Sequence, residues 1–410
     1  MSPARRRSRP VIGLALAGGG PVGGIYEVGA LAALDEALDG ADLSDLDIYV
    51  GVSSGAFVAA MLANGLRPAK LARMLMENDA DEVFDPDILL RPAFGEYGKR
   101  LRRVPPLFWS SLLRYLSDPL HAGLFESFQR MSRALPAGIF DSAGIDALLC
   151  RLFSGDGRTN DFRQLRKRLF LVATDLESGA SVAFGGPGRD STPISTAVQA
   201  SAALPGLFPP VEIDGNFYVD GALIKTLHAS VALREGADLV LCINPLVPFD
   251  SGLAAQKPRA ATPDDTPPRL VDGGLPAVLS QTFRAIIRSR MQVGMGRYQR
   301  EFEHADVVLF EPAADDAEMF FTNVFSYGSR RSVCEHAYQR TRSELYRRRE
   351  ELAPILARHG IRLNLALLRD RRCSLLPDSR NSRLATLTDS LEHSLDELVH
   401  CLQLRADKAA

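Results

Sequence analysis

The sequence predicts an α/β fold in which a largely parallel sheet carries helices on both faces. Three observations lead there. Short all-apolar runs recur at Val11-Ile12-Gly13-Leu14-Ala15-Leu16-Ala17, Leu169-Phe170-Leu171-Val172-Ala173, Leu239-Val240-Leu241-Cys242-Ile243 and Val307-Val308-Leu309-Phe310. They lack the polar alternation of a half-exposed strand and read as strands buried on both faces. These runs alternate with segments of helical spacing, the first being Ile25, Val28, Leu31, Leu34 and Leu38. Finally, a chain of 410 residues, 46% hydrophobic and 24% charged, has room for one large domain with an appendage, or for two domains.

Residues 1–10 form a basic tail with Arg5, Arg6, Arg7 and Arg9. With the apolar run after it, the tail imitates a signal peptide, but cleavage near Ala17 would remove the first strand, and the run is far too short to span a bilayer. A cytoplasmic location is expected, with possible attachment to membranes or lipid inclusions. The five cysteines are scattered without metal-ligand or C-x-x-C spacing, as free thiols in a reducing compartment would be. A net charge of −2 gives no global attraction to nucleic acid, and none is expected as a partner.

After strand 11–17 come Gly18, Gly19, Gly20, Pro21, Val22 and Gly23. A second strand, Ile48-Tyr49-Val50, runs into Gly51-Val52-Ser53-Ser54-Gly55, and helices are expected from near Ser54 and from Pro68, a residue suited to a first helical turn. An insertion follows at about 80–165. Its stretch 97–114 mixes Lys99, Arg100, Arg102, Arg103 and Arg114 with apolar residues and the single tryptophan, Trp109. This pattern suits a lipid-water interface or a lid, and equally a solvated surface helix.

Later, Asp214-Gly215 reads as a hairpin connection between Val211-Glu212-Ile213 and Asn216-Phe217-Tyr218. Residues 250–275, rich in proline and small polar residues, read as a flexible linker or long loop. Beyond it, Leu279, Phe283, Ile287, Met291, Met295, Tyr298 and Phe302 form a stripe at helical spacing, expected to be core. Residues 329–373 hold twelve arginines against five acids and are expected to be helical from Ser332 to Arg358. These arginines suit anionic headgroups or a solvated helix face. Residues 373–410 carry an amphipathic leucine repeat suited to docking on the chain itself or to pairing in a homo-oligomer.

The chemistry centres on Ser53. Gly51-Val52-Ser53-Ser54-Gly55 fits G-x-S-x-G, a nucleophile elbow on a strand-to-helix turn, with Gly51 and Gly55 as its small flanking residues. Gly18, Gly20 and Gly23 also satisfy G-x-G-x-x-G, but a dinucleotide site wants an acid at the end of the next strand, and Ser53 stands there. A serine hydroxyl needs a base. None of His228, His304, His336 and His359 ends a clear strand in a glycine-rich turn, whereas Phe217-Tyr218-Val219 runs into Asp220-Gly221-Ala222, which makes Asp220 the better candidate.

The ordered set of glycine loop, G-x-S-x-G and late Asp-Gly-Ala resembles the patatin-like phospholipase family. Ala200-Ser201-Ala202-Ala203-Leu204-Pro205 with Phe208-Pro209-Pro210, and Thr174-Asp175-Leu176 with Gly179, look like further blocks of that family. The resemblance covers about residues 11–243. It implies a three-layer α/β/α fold over a catalytic domain of 11–249, to which the helical spacing and apolar run beyond the linker add C-terminal helices over 276–372 with one strand near 306–310. It further implies a lipid acyl hydrolase that works through a Ser-Asp dyad and an acyl-enzyme. In it Ser53 is the nucleophile, Asp220 the base and the backbone N–H groups around Gly18, Gly19 and Gly20 the oxyanion hole, without metal or cofactor. The family commonly has a basic residue where this chain has Val22. That departure leaves open a neutral lipid or an intracellular polyester of hydroxyalkanoates as substrate instead of a phospholipid. A nucleotide-binding oxidoreductase and a lipid-surface-binding protein with a weak active site are the readings from other classes.

Overall fold

The first apolar run forms β1 (Ile12–Leu16), and the helical spacing after it forms α1 (Gly20–Ala37). Then come β2 (Leu38–Asp39), β3 (Ile48–Val52), α2 (Ser54–Ala63), α3 (Pro68–Met76) and α4 (Ala143–Phe153). The middle of the chain supplies β4 (Arg168–Asp175), β5 (Ser181–Phe184), α5 (Ile194–Ser201), β6 (Val211–Ile213), β7 (Asn216–Asp220), α6 (Ala229–Arg234) and β8 (Leu239–Ile243). The last third adds α7 (Ser251–Ala255), α8 (Gly274–Glu301), β9 (Asp306–Phe310), α9 (Ala317–Phe321), α10 (Tyr327–Arg347), α11 (Arg349–Arg358), β10 (Arg362–Leu363) and α12 (Leu365–Arg369). This computed structural model describes residues 9–76, 138–255, 270–321, 327–370 and 372–376. Residues up to 371 form one unit and those from Arg372 a second. The basic stretch 97–114, most of the insertion, residues 256–269 of the expected linker and the leucine repeat lie outside the described residues.

The main sheet has the order β6-β7-β4-β3-β1-β8-β9, with β5 pairing to β4 off this path. From β4 to β9 all neighbours are parallel, and β5, β6 and β7 are antiparallel additions at one side. The buried run Ile12 to Leu16 pairs with β3 on one side and β8 on the other, which accounts for its apolar character throughout.

From β1 the chain steps to β3 and then β4, whereas β8 lies on the other side of β1 and the chain then steps outward to β9. Right-handed crossovers therefore put α1 and α2 on one face and α8 on the other. The core agrees: Val50, Val52, Phe170, Val240 and Cys242 gather with Ala232 and Leu233 of α6 and Tyr298 of α8. Across the sheet α10 lies against α1, and the approach is close because a Cβ on Gly29 would run into the Cys334 carbonyl and sit 2.9 Å from the Ala337 Cβ. The reversal of winding at β1 opens a crevice at the carboxyl ends of the strands, where open α/β sheets place their sites.

Four sequence expectations change in detail. Of the expected linker, residues 251–255 are helical and 270–273 form a 3-10 turn. The helix expected from Ser332 to Arg358 starts at Tyr327 and breaks at Arg348, whose side chain ties Glu344 to Glu351. Several arginines of 329–373 are engaged internally: Arg342 is buried and donates to Tyr338 Oη, Leu367 O and Asp370 O, and Arg358 pairs with Asp306. The apolar stripe of α8 is only partly core: Tyr298 is buried and Met291, Met295 and Phe302 pack beneath it, while Leu279 and Phe283 are exposed. Among the described residues no helix is long and apolar enough to cross a membrane. Cys150, Cys242, Cys334 and Cys373 are free thiols.

Candidate active site

Ser53 sits between β3 and α2 at φ 54, ψ −124, one of two non-glycine residues with positive φ among those described. Such a backbone costs about 1–2 kcal/mol for an L-residue and persists only where its surroundings impose it. Here they do. A Cβ on Gly51 would run into Gly55 O and lie 2.6 Å from Ala56 Cα, and a Cβ on Gly55 would lie 2.6 Å from Ala17 O. G-x-S-x-G is thus a steric statement: both glycines let α2 turn back across β3 and β1 tightly enough to raise the serine.

A second serine fixes the turn. Ser53 N–H donates to Ser201 Oγ at 2.9 Å, and the Ser201 hydroxyl donates to Val172 O at 2.5 Å. Ser201 is fully buried at the end of α5, so it ties the elbow to β4. Ser201 lies in one of the blocks that resemble the family, but this link spans a separation of 148 positions and no local pattern reveals it.

Asp220 ends β7, with Ala173 of β4 as its register partner. Its N–H donates to Ala203 O at 3.0 Å, its carbonyl accepts from Thr174 Oγ1 at 3.2 Å, and its carboxylate accepts the Ala222 N–H at 2.8 Å. Gly221 follows because a Cβ there would run into the Val172 carbonyl, the same oxygen that holds Ser201. The carboxyl is buried, and desolvation pushes its pKa up to about 6, moderated by hydrogen bonding from the Ser53 side chain and from Ala222 N–H. The Ser53 hydroxyl is thus near enough to the carboxyl to influence its titration, and both residues line the cavity described below. His228 is buried nearby with its Nε2 unpartnered, and burial, then the Lys225 charge, lowers its pKa to about 4. Its imidazole is therefore neutral at pH 7.

The glycine loop needs one correction. Gly18 N–H is bonded to Thr226 O at 3.2 Å and is not available to a substrate. Gly18 contributes space instead: a Cβ there would come within 2.9 Å of the Ala222 Cβ and 3.1 Å of the Ser53 Cβ. Gly19 caps α1 and Gly20, at φ 63, begins it, and no acceptor among the described residues takes up either N–H. Pro21 has no N–H to offer. The open donors, Gly19 and Gly20, are thus at the positive end of an 18-residue helix. Pro245, just past β8, presses on this loop, since a Cβ on Gly19 would lie 2.5 Å, and one on Gly23 2.9 Å, from its Cγ.

Ser53, Asp220 and Gly18 to Gly20 all line one cavity of about 840 Å³. Its walls are mainly apolar, with Met61, Leu71, Met74, Leu148 and Phe208 among them. Val22 is at this wall too, in the position where a basic residue was expected, but Lys225 and Arg284 supply cations from elsewhere. Lys225 lies 4.6 Å above the Tyr298 ring, and burial and then Arg234 lower its pKa to about 8. Arg284 donates to Val247 O at 3.1 Å, its Nε has no partner, and burial lowers its pKa to about 10. Among the described residues no three histidine, cysteine or acidic side chains come together as a metal site.

The sequence profile described as patatin-like phospholipase matches residues 14–233, more than half of the chain. An uncharacterised protein of Acanthamoeba polyphaga mimivirus is 25% identical over 235 residues, 57% of this chain and 65% of its own length. An uncharacterised NTE family protein of Mycobacterium tuberculosis is 36% identical over 73 residues, 18% of this chain and 19% of its own. The chain therefore spans less than two thirds of these relatives. Solved structures with similarity include the type III effector ExoU, at 16% identity and TM-score 0.36 over 83% of this chain and 53% of that one. VipD from Legionella pneumophila gives 18% identity and TM-score 0.31, over 62% and 57% respectively. By its matched segment, which contains the glycine loop, the serine elbow and Asp220, the chain belongs to the patatin-like phospholipase family.

Proposed function

We propose that the protein is a lipid acyl hydrolase that cleaves carboxylic esters with Ser53 and Asp220. The observation that carries this reading is that a buried Asp220 carboxyl and a serine held in a strained turn line the same mainly apolar cavity. In the reaction Ser53 Oγ attacks the ester carbonyl carbon while its proton passes to Asp220. The carbonyl oxygen, now an anion, is stabilised by the N–H groups of Gly19 and Gly20, where a single donor is worth about 3–4 kcal/mol. Collapse of the intermediate expels the alcohol, which takes the proton from Asp220. Water then attacks the acyl-enzyme, giving a proton to Asp220, and the free acid leaves as Ser53 regains its hydrogen.

An ordinary aspartate, with a pKa near 3.9, is a weak base at neutral pH. The shift of Asp220 to about 6 brings it nearer the operating range, as general-base catalysis wants. The cavity volume falls within the roughly 300–1,000 Å³ of small-molecule sites, and its apolar walls suit an acyl chain. The cations of Arg284 and Lys225 at the cavity wall favour a phosphate-bearing ester over a neutral lipid or polyester despite Val22.

A serine-directed fluorophosphonate followed by mass mapping tests the nucleophile: label on Ser53, lost in Ser53→Ala, is expected, and label elsewhere defeats the reading. Hydrolysis of phospholipid, triacylglycerol and hydroxyalkanoate oligomers by the protein and by Arg284→Ala tests the substrate. A selective fall for phospholipid is expected.

A further inference from the structure

Helix α8 has two apolar faces, and the fold uses one. At about 100° per residue, Met291, Met295 and Tyr298 point one way, onto the core beneath the sheet. Leu275, Val278, Leu279, Phe283, Ile286 and Val293 fall on the opposite side, within a stripe about 140° wide by the same geometry. All six are exposed, Leu275 to 70%, Phe283 to 57% and Val293 to 71%. A helix apolar on both sides belongs in an interior, and a contiguous exposed apolar stripe marks a surface awaiting a partner.

Two further observations identify the partner. The stripe reaches the cavity: Phe283 and Ile286 both line it and are exposed, as are Leu204, Leu207 and Leu223 elsewhere on its lining. An apolar path therefore leads from the outer face of α8 to Ser53. In addition, the exposed Arg290, Arg297 and Arg300 fall in or beside the stripe by the same helical geometry, and Glu301, the only acid of α8, pairs with Arg297 at 2.6 Å, which leaves a net excess of two positive charges among these four residues. Apolar residues flanked by arginines suit an anionic lipid surface, where the aliphatic side chains enter the acyl boundary and the cations meet headgroups.

We infer that the outer face of α8 is the surface by which the protein docks on an anionic lipid bilayer, with the cavity mouth facing the lipid. A substrate acyl chain then passes from bilayer to cavity along apolar residues without crossing water. This goes beyond the proposed hydrolysis and does not depend on it.

The full-length protein is tested by flotation with vesicles of phosphatidylcholine, with and without phosphatidylglycerol, alongside hydrolysis of a water-soluble short-chain ester and measurement of solution mass. The wild type is expected to float with the anionic vesicles. Leu279→Asp with Val293→Asp, neither of which lines the cavity, should lower that partition by about tenfold or more while soluble-ester hydrolysis and mass stay unchanged. Arg297→Glu with Arg300→Glu should remove the preference for phosphatidylglycerol. Absence of wild-type flotation, or equal flotation of the aspartate variant, overturns the inference. So does a drop in mass with unchanged flotation, which would assign the stripe to a second copy of the chain. Flotation without soluble-ester hydrolysis would leave the docking surface standing and count against the proposed chemistry alone.

Discussion

The dipeptide Asp-Gly occurs at both ends of β7, and the two copies differ in almost every physical respect. Asp214-Gly215 connects β6 to β7 with both residues at positive φ, 51 and 79, in open space where a Cβ on the glycine would touch nothing within 4 Å. Asp220-Gly221 closes the other end of the strand with Asp220 at φ −50 and buried, and there a Cβ on the glycine would run into the Val172 carbonyl. The first glycine is present for its backbone freedom, the second for its lack of volume. The first aspartate remains in water, while the second is desolvated until its pKa approaches 6. Chemistry follows the environment, and the same two letters supply a solvated turn or a buried carboxyl.

The largest effect that would break this contrast comes from the carboxylate itself. Asp220→Asn and Ser53→Ala are each expected to lower kcat/KM for ester hydrolysis by about 10³-fold or more, read by steady-state kinetics. Asp220→Asn should also raise stability at pH 7.5. The folded pKa lies above the unfolded value, so this group's stabilisation is complete below about pH 4 and lost as pH rises through about 6. The difference corresponds to about 3 kcal/mol, which denaturant titration should find at pH 7.5 and not at pH 4.

Gly221→Ala should come next, destabilising by about 1–3 kcal/mol through overpacking against Val172 and lowering kcat by moving Asp220. Ser201→Ala removes the tie between Ser53 N–H and Val172 O. A loss of about 1–3 kcal/mol in stability, with roughly tenfold lower kcat and little change in KM, is expected from leaving the buried N–H unsatisfied. A milder test is the pH profile, where kcat/KM should rise to a plateau through a midpoint near 6, the base being active when deprotonated. Smallest of all, Gly215→Ala should cost about 1–2 kcal/mol of stability from its left-handed backbone, with activity unchanged. Equal losses of activity at Gly215 and Gly221 would erase the distinction.

Much of this was legible in the sequence because it is local. The buried runs of β1, β4 and β8, the hairpin at Asp214-Gly215 and the elbow around Ser53 all rest on sterics acting within a few residues. What escaped was contact between distant segments. The bond from Gly18 N–H to Thr226 O, which withdraws one expected oxyanion donor, has no local signature. Nor does the brace that Ser201 makes to Ser53. In α8 the spacing grouped Leu279 and Phe283 with the core-facing Met291, Met295 and Tyr298, although both are exposed, because periodicity shows that a face is apolar and not what covers it. The two-residue strands β2 and β10 are too short to carry any period.

Pro245 has a consequence for dividing this protein into parts. The family match ends at residue 233, yet β8 and the proline that seats the glycine loop come after it. A fragment cut at the end of the match would strip β1 of one of its two neighbours and expose the central strand of the sheet as an apolar edge, a template for aggregation. The smallest piece of the chain worth expressing is therefore set by the sheet, and it must include both β8 and Pro245.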